Sequence, residues 1–433
     1  MKDNLTPLSF GEKIRQIRVN KGLHQEDLAK AINTSKMFVS RLERGQAEYD
    51  DKMLADIRQF LSIEHAPIFD HELKDYTSRL WVWHDLVGAD RLTEAKDIQH
   101  ELSPILDLPF ERDLNLTYLM IETRILFKEG NFPVAEERLN TAEALLDEAS
   151  NDALFLYQRN MGFYHHVKLS HKASLKHFLQ ALDLETVNVK PDVTIYGNVG
   201  SAYLNIGKPW KAIVYYEKAI AESNKDRTHV PMTLIWANLG RSYLLVQDYD
   251  KAKEILNIGY THAKRTNDVP MMVYSLVRFA ECSYGRKEYE DALDYCNQAL
   301  ELCHNKTRFY PVAIFQKTLT LYRLKDFNQC KVMLEQSKEV AQTTNNTIML
   351  TEIEVVSHLL TLNESNSIDY VEKIAIPYLK TDCGTSMLRA LDFCEILEDY
   401  YVKKRSTKKA LAIAAISRDI YKEMFTGTVE LGE

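Results

Sequence analysis

Between Val193 and Lys225 the chain reads VTIYGNVGSAYLNIGKPWKAIVYYEKAIAESNK, and the placing of small and large residues there constrains the fold more than any other stretch. Tyr196, Val199, Gly200 and Tyr203 fall three or four residues apart, as do Ala212, Tyr216 and Ala219. Each set therefore forms one stripe of a helix. Asn205, Gly207 and Pro209 break the periodicity between them and supply a turn. Gly200 and Ala212 mark where two backbones approach closely, because a larger side chain at either would hold the axes apart. The stretch predicts a helical hairpin. The pattern returns about forty residues later, where Trp236, Leu239, Gly240 and Tyr243 precede Ala252, Leu256 and Gly259.

Carried in both directions, the register puts short residues at Thr123, Gly162, Gly200, Gly240, Ala280 and Thr318 in first helices. Ala135, Ser174, Ala212, Ala252, Ala292 and Cys330 follow in second helices. Six units are readable, and they resemble the tetratricopeptide repeat with its aromatic, Leu-Gly, Tyr, Ala, Phe, Ala signature. The spacing of 38 to 40 residues exceeds the usual ~34, so each pair is expected to be longer by about a turn. Weaker units are expected over Ile348 to Lys380 and Leu391 to Phe425, the second carrying Ala410, Ala414 and Ser417.

The first sixty residues follow a different plan. Ile14 and Ile17 begin a helix that Lys21-Gly22 ends, and a second runs from His24 or Gln25 to Ile32. Asn33-Thr34 turn the chain, Ser35 caps a third helix over Lys36 to Arg44, and Gly45 closes it. The stretch GLHQEDLAKAINTSKMFVSRLERGQ resembles the helix-turn-helix of the Cro and C1 repressor class, through Gln25, Glu26, Leu28 and Ala29, then Ser35, Val39, Ser40, Leu42, Glu43 and Gly45. With Val39 and Leu42 inward, Lys36, Met37, Ser40 and Arg41 project toward a major groove. Lys36 and Arg41 suit guanine edges and Met37 a thymine methyl. Gln25, Ser35 and Arg44 complete the candidate DNA contacts, while Glu43 reads as an internal brace. One such module has a footprint of about 600–1,000 Å², so two half-sites and a homodimer are expected.

Charge agrees with this division. The net charge of −8 argues against general coating of nucleic acid, yet residues 1 to 62 carry eleven Lys and Arg against nine Asp and Glu. Six cysteines, at 282, 296, 303, 330, 383 and 394, form no C-x-x-C pair and read as buried reduced thiols. No apolar run approaches the ~20 residues that span a bilayer, and MKDNLTPLSF lacks the apolar core of a signal peptide, so a cytoplasmic protein without membrane contact is expected. No catalytic, phosphate-binding or metal-ligating motif appears; the reading is no enzyme and no cofactor. His165, His166, His171 and His177 cluster in sequence but are spread around helices and a loop.

Two residues before each small position of the first helices stand Asn160, Asn198, Asn238, Arg278 and Gln316. That site faces inward in peptide-binding tetratricopeptide domains. An extended peptide offers C=O and N–H at regular intervals that an Asn amide satisfies in pairs, and Arg278 suits a peptide carboxylate. Asn205 lies nearby as a further candidate. Bracing between neighbouring helices is the alternative.

The expected architecture is all-α, an N-terminal helix-turn-helix domain followed by a right-handed tetratricopeptide solenoid. Residues 1–64 bind DNA, 65–110 form a connector with capping helices, 111–345 carry six repeats, and 346–433 form degenerate repeats with a dimerisation role. This layout resembles the peptide-pheromone receptors of Gram-positive bacteria and their phages, the group of Rap, NprR, PlcR and the arbitrium receptors. The resemblance implies a transcription regulator for quorum sensing or phage communication, with double-stranded DNA and a short signalling peptide as partners. The alternative it leaves is a Rap-like switch that sequesters a response regulator or another regulatory protein.

Overall fold

The computed structural model describes residues 8–226, 232–303, 309–343, 347–361, 365–381 and 385–425, and among them it is all helix. The chain divides into two compact units, one of residues 1–168 and 176–190, the other of residues 169–175 and 191–433.

The first unit opens with four short helices, α1 (Phe10–Asn20), α2 (Gln25–Ala31), α3 (Lys36–Glu43) and α4 (Asp51–Phe60). Ser9 and Glu12 form a capping box on α1, and the Ser35 hydroxyl accepts from Phe38 N to start α3, as the sequence suggests. Gly22 and Gly45 close α1 and α3 in the left-handed region, at φ 68° and 70°. Ile14, Ile17, Leu28, Val39, Leu42 and Ile57 bury into one small core. Longer helices follow: α5 (Asp70–Gly88), α6 (Leu92–Leu102), α7 (Arg112–Lys128), α8 (Phe132–Glu143), α9 (Asn151–Val167) and α10 (His171–Leu182), the first residues of α10 being counted with the second unit. Polar contacts run across position 64, where Lys13 Nζ donates to Ile68 O at 2.7 Å and Arg58 grips Glu72 through two bonds of 2.7 and 3.0 Å. Trp83 is buried with its ring 4.9 Å from that of Tyr118.

The second unit stacks helix pairs: α11 (Val193–Asn205) with α12 (Pro209–Asp226), α13 (Met232–Leu245) with α14 (Tyr249–Arg265), α15 (Val269–Gly285) with α16 (Tyr289–Leu302), and α17 (Tyr310–Arg323) with α18 (Phe327–Thr343). After α19 (Thr347–Leu359) and α20 (Ser365–Tyr370), a π-helical turn over Val371–Ala375 leads into α21 (Ile376–Thr381). Pro377 accounts for the wider turn, since it lacks an N–H and its ring crowds the carbonyl one turn earlier. A last hairpin, α22 (Thr385–Lys403) and α23 (Thr407–Phe425), ends the described chain.

All twelve short positions of the repeat are buried. A Cβ on Gly200 would stand 2.9 Å from the Tyr216 ring, and one on Gly240 only 2.5 Å from Leu256 Cγ. At Gly162, Gly200 and Gly240 the bulk absent from the first helix is thus filled by a side chain sixteen residues on. The turn inside each pair needs one left-handed residue, and Gly130, Leu169, Gly207, Gln247, Lys287 and Lys325 supply it at the repeat's own period. Adjacent first helices touch, α13 with α15 and α15 with α17, while second helices make no comparable contact with one another. First helices therefore line the inner face of this unit. Of the cysteines, five are buried thiols and Cys383 lies outside the described residues; burial raises Cys282 and Cys296 to about 12. No described helix is long and apolar enough to cross a membrane.

Candidate functional site

The third helix presents its candidates over a rigid support. Glu43, 2% exposed, accepts from Arg18 Nε at 2.6 Å, from Arg18 Nη2 at 3.0 Å and from Gln25 Nε2 at 2.8 Å, while Arg18 Nη1 reaches Leu23 O at 2.6 Å. One carboxylate so ties α1, α2 and α3 together, and its lone pairs are well used, the condition under which a buried ion pair holds a geometry. Gly11 lets α1 lie directly on α3, since a Cβ there would stand 2.0 Å from Leu42 O.

Above this frame Lys36, Met37, Arg41 and Arg44 are exposed, Met37 at 73%, and Ser40 is half-buried. Their internal bonds are at the surface: Lys36 Nζ to Glu26 at 2.9 Å, Arg41 Nη2 to Gln46 O at 3.1 Å, and Arg44 Nε to Ser40 O at 3.0 Å. Exposed pairs of this kind are worth little and exchange readily for phosphate or base contacts. Ser35 spends its hydroxyl on the helix cap, and Gln25 keeps its carbonyl oxygen while its amide braces Glu43.

The inward-facing series divides. Asn160, in the first unit, is buried and donates to Met120 O at 2.8 Å, which braces α9 against α7. Asn198, Asn205 and Asn238, in the second, are half-buried. Asn238 Oδ1 accepts from the Tyr274 hydroxyl at 3.2 Å, and the Tyr274 ring lies 4.9 Å below the Arg278 guanidinium. Arg278 is buried and pairs with Glu281 one turn on, at 2.5 Å. Gln316 is wholly buried and its carbonyl oxygen accepts from Arg389 of α22, which also reaches Glu281 Oε1 at 3.2 Å. The structure brings Arg278 and Gln316 together, with two partners that the repeat register does not point to. An Arg-x-x-Glu spacing within one helix is the legible sign for Glu281. Nothing local marks Arg389, whose partner is 73 residues away.

Among the described residues no three His, Cys, Asp or Glu side chains gather as a metal site; His165 and His177 only stack, 5.1 Å apart.

Residues 14–68 match the helix-turn-helix family and residues 193–226 the tetratricopeptide repeat family. The chain thus carries a helix-turn-helix segment and a tetratricopeptide-type helical fold. Its solved neighbours narrow this, for the fold is that of a Rap protein complexed with competence and sporulation factor, at 15% identity over 81% of this chain and 99% of that one, TM-score 0.66. It is also that of the quorum sensor NprR from B. thuringiensis in its apo form, at 15% identity, 80% and 99% coverage and TM-score 0.63. NprR in complex with its cognate peptide NprX matches at 16% identity, 79% and 99% coverage and TM-score 0.61. A curated relative, outer dynein arm-docking complex subunit 4 of Xenopus laevis, is 30% identical over 112 residues, 25% of this chain, and the match spans about a fifth of its length, 20%.

Proposed function

We propose that this chain is a peptide-responsive regulator of transcription that binds paired DNA half-sites as a homodimer. The supporting observation is that one chain carries a braced helix-turn-helix with a solvent-facing recognition helix and a repeat unit whose first helices present amides inward. In this reading Lys36 and Arg41 donate to guanine edges, Met37 meets a thymine methyl, and Ser40, Gln25, Ser35 and Arg44 fix register on the backbone. Glu43 touches no DNA; it holds α2 and α3 at the angle that groove docking requires.

Asn198 and Asn238 take the C=O and N–H of an extended peptide, with Asn205 at the end of α11 as an outer contact. Arg278 and Gln316 continue that row. Asn160 belongs to the bracing of its own unit. Half-sites on one face of DNA recur at about 34–36 Å, so a small peptide-driven change in the spacing of two heads is enough to switch operator binding. NprR has been solved in complex with its cognate peptide NprX and a Rap conjugation gene regulator in complex with the Phr* peptide, and their fold is shared here, which supports the groove assignment.

The test is selection of genomic DNA fragments by the purified chain at physiological salt, with and without a pool of short synthetic peptides. Enrichment of paired half-sites that shifts with peptide is expected. Enrichment indifferent to peptide would remove the peptide half of the proposal. No enrichment would favour the sequestration of a partner protein.

A further inference from the structure

The C-terminal hairpin lies on the inner face of the second unit, held there by polar groups. Arg389 donates to Glu281 and Gln316, with its guanidinium 5.9 Å from the Phe315 ring. About one and two turns further along α22, Asp392 accepts from the Tyr284 hydroxyl at 2.7 Å and from Arg323, and Glu395 accepts from Lys287 at 2.5 Å and Arg323 at 3.3 Å. On α23 the Tyr421 hydroxyl accepts from Gln247 at 3.1 Å. These partners belong to α13, α15 and α17 or to the turns that follow them.

The seat is incompletely satisfied. Arg278, Glu281, Gln316 and Arg389 are each at most 7% exposed, and the two guanidiniums share one carboxylate. Arg278 Nε and Gln316 Nε2 are buried donors with no acceptor among the described residues. A buried donor left without an acceptor is costly, and a side chain that brings only more donors cannot relieve it. Arg389 brings only donors. Beside the cluster a cavity of about 410 Å³ remains, lined in part by Leu388, Arg389, Glu281, Tyr284 and Tyr421. A peptide differs from Arg389 in one decisive way: along with a basic side chain for Glu281 and Gln316 it carries backbone carbonyls, the acceptors that Arg278 and Gln316 lack.

We propose that Arg389 occupies, in cis, the seat of a basic side chain of the groove's peptide, so that the C-terminal hairpin is a displaceable occupant of the inner face. This rests on the peptide-groove reading and adds to it a ligand chemistry and a competitor. Binding is then weakened by the fraction of molecules whose hairpin is seated, and loosening the hairpin removes that handicap.

The experiment offers a synthetic heptapeptide pool, randomised at every position, to four full-length proteins: the unaltered chain, Arg389→Ala, Asp392→Asn/Glu395→Gln, and Glu281→Gln. Captured peptides are sequenced by mass spectrometry. Arg389→Ala and the double variant are expected to capture about tenfold more peptide than the unaltered chain, with Arg or Lys enriched at one position, and Glu281→Gln to lose that preference. The double variant leaves Arg389 and its partners in place, so a gain in both rules out a packing defect peculiar to Arg389→Ala. Equal capture by the unaltered and loosened proteins would overturn the competitor while the groove stands. Greater capture without a basic preference would overturn the seat. No capture by any of the four would overturn the groove and this inference with it.

Discussion

The helix-turn-helix and the inner face of the repeat unit spend their polar side chains in opposite ways. In the first, the buried polar work is done by Glu43, Arg18 and Gln25, and the long cations Lys36, Arg41 and Arg44 are left at the surface. In the second, the cation and amide that the repeat register assigns to a ligand, Arg278 and Gln316, are themselves buried and engaged by Glu281 and Arg389. A surface made for DNA needs a fixed shape and loosely held charges. A groove filled by its own chain needs an exchange before anything else can enter. The cations of the first region face solvent, and the polar groups of the second are held by the chain's own side chains.

The sharpest way to break this contrast is at Glu43. Its replacement by alanine strands Arg18 in the core of the head, and loss of about 3–5 kcal/mol is expected in urea unfolding followed by a probe in residues 8–60. A cost near that of a surface pair would mean that the head is not organised around this carboxylate. In the repeat unit, Gly240→Val forces a side chain into Leu256 and should cost about 1–3 kcal/mol. Gly197→Ala, on the same kind of helix, meets only Ile235 at 3.6 Å and should stabilise by about 0.5–1 kcal/mol. Equal effects at the two glycines would remove the close-approach account of the repeat. Arg41→Ala should weaken operator binding by about 1–3 kcal/mol and leave peptide binding unchanged. An equal loss on every DNA sequence would make Arg41 a phosphate contact.

The smallest effect is one of pH. Burial, and then the nearby Arg159 and Arg124 against the opposing pull of Asp85, hold His84 below its usual range. The unfolded chain takes up a proton near pH 6.5 that the folded chain refuses, so stability is level above that value and falls as the pH drops below it. The urea midpoint should fall more between pH 7.5 and 5.5 in the unaltered chain than in His84→Gln. Identical falls would assign the pH dependence elsewhere.

What the sequence disclosed follows the range of the interactions. The small positions are legible because the contacts that fix them are local: Gly162, Gly200 and Gly240 each meet a side chain sixteen residues on, Phe178, Tyr216 and Leu256, within one hairpin. The caps at Ser9 and Ser35 and the left-handed Gly22 and Gly45 are local chemistry and are equally plain. The left-handed turn residues were half hidden, since Gln247, Lys287 and Lys325 stand where glycine would have announced the turn. The seating of α22 was not legible at all. Helical periodicity says which face of α22 is apolar, but its choice of Tyr284 and Arg323, 108 and 69 residues back, is a tertiary outcome. For the same reason the register pointed to Arg278 and Gln316 without revealing that both are already partnered.

In the proposed regulator the two regions are coupled through a peptide. Fluorescence anisotropy of a labelled operator fragment, titrated with the full-length protein in the presence and absence of a peptide selected from the synthetic pool, measures that coupling directly. The operator dissociation constant should change by about 5- to 150-fold with peptide in the unaltered chain, and by less than about twofold in Asn198→Ala/Asn238→Ala. An operator affinity that peptide leaves unchanged in the unaltered chain would contradict the account.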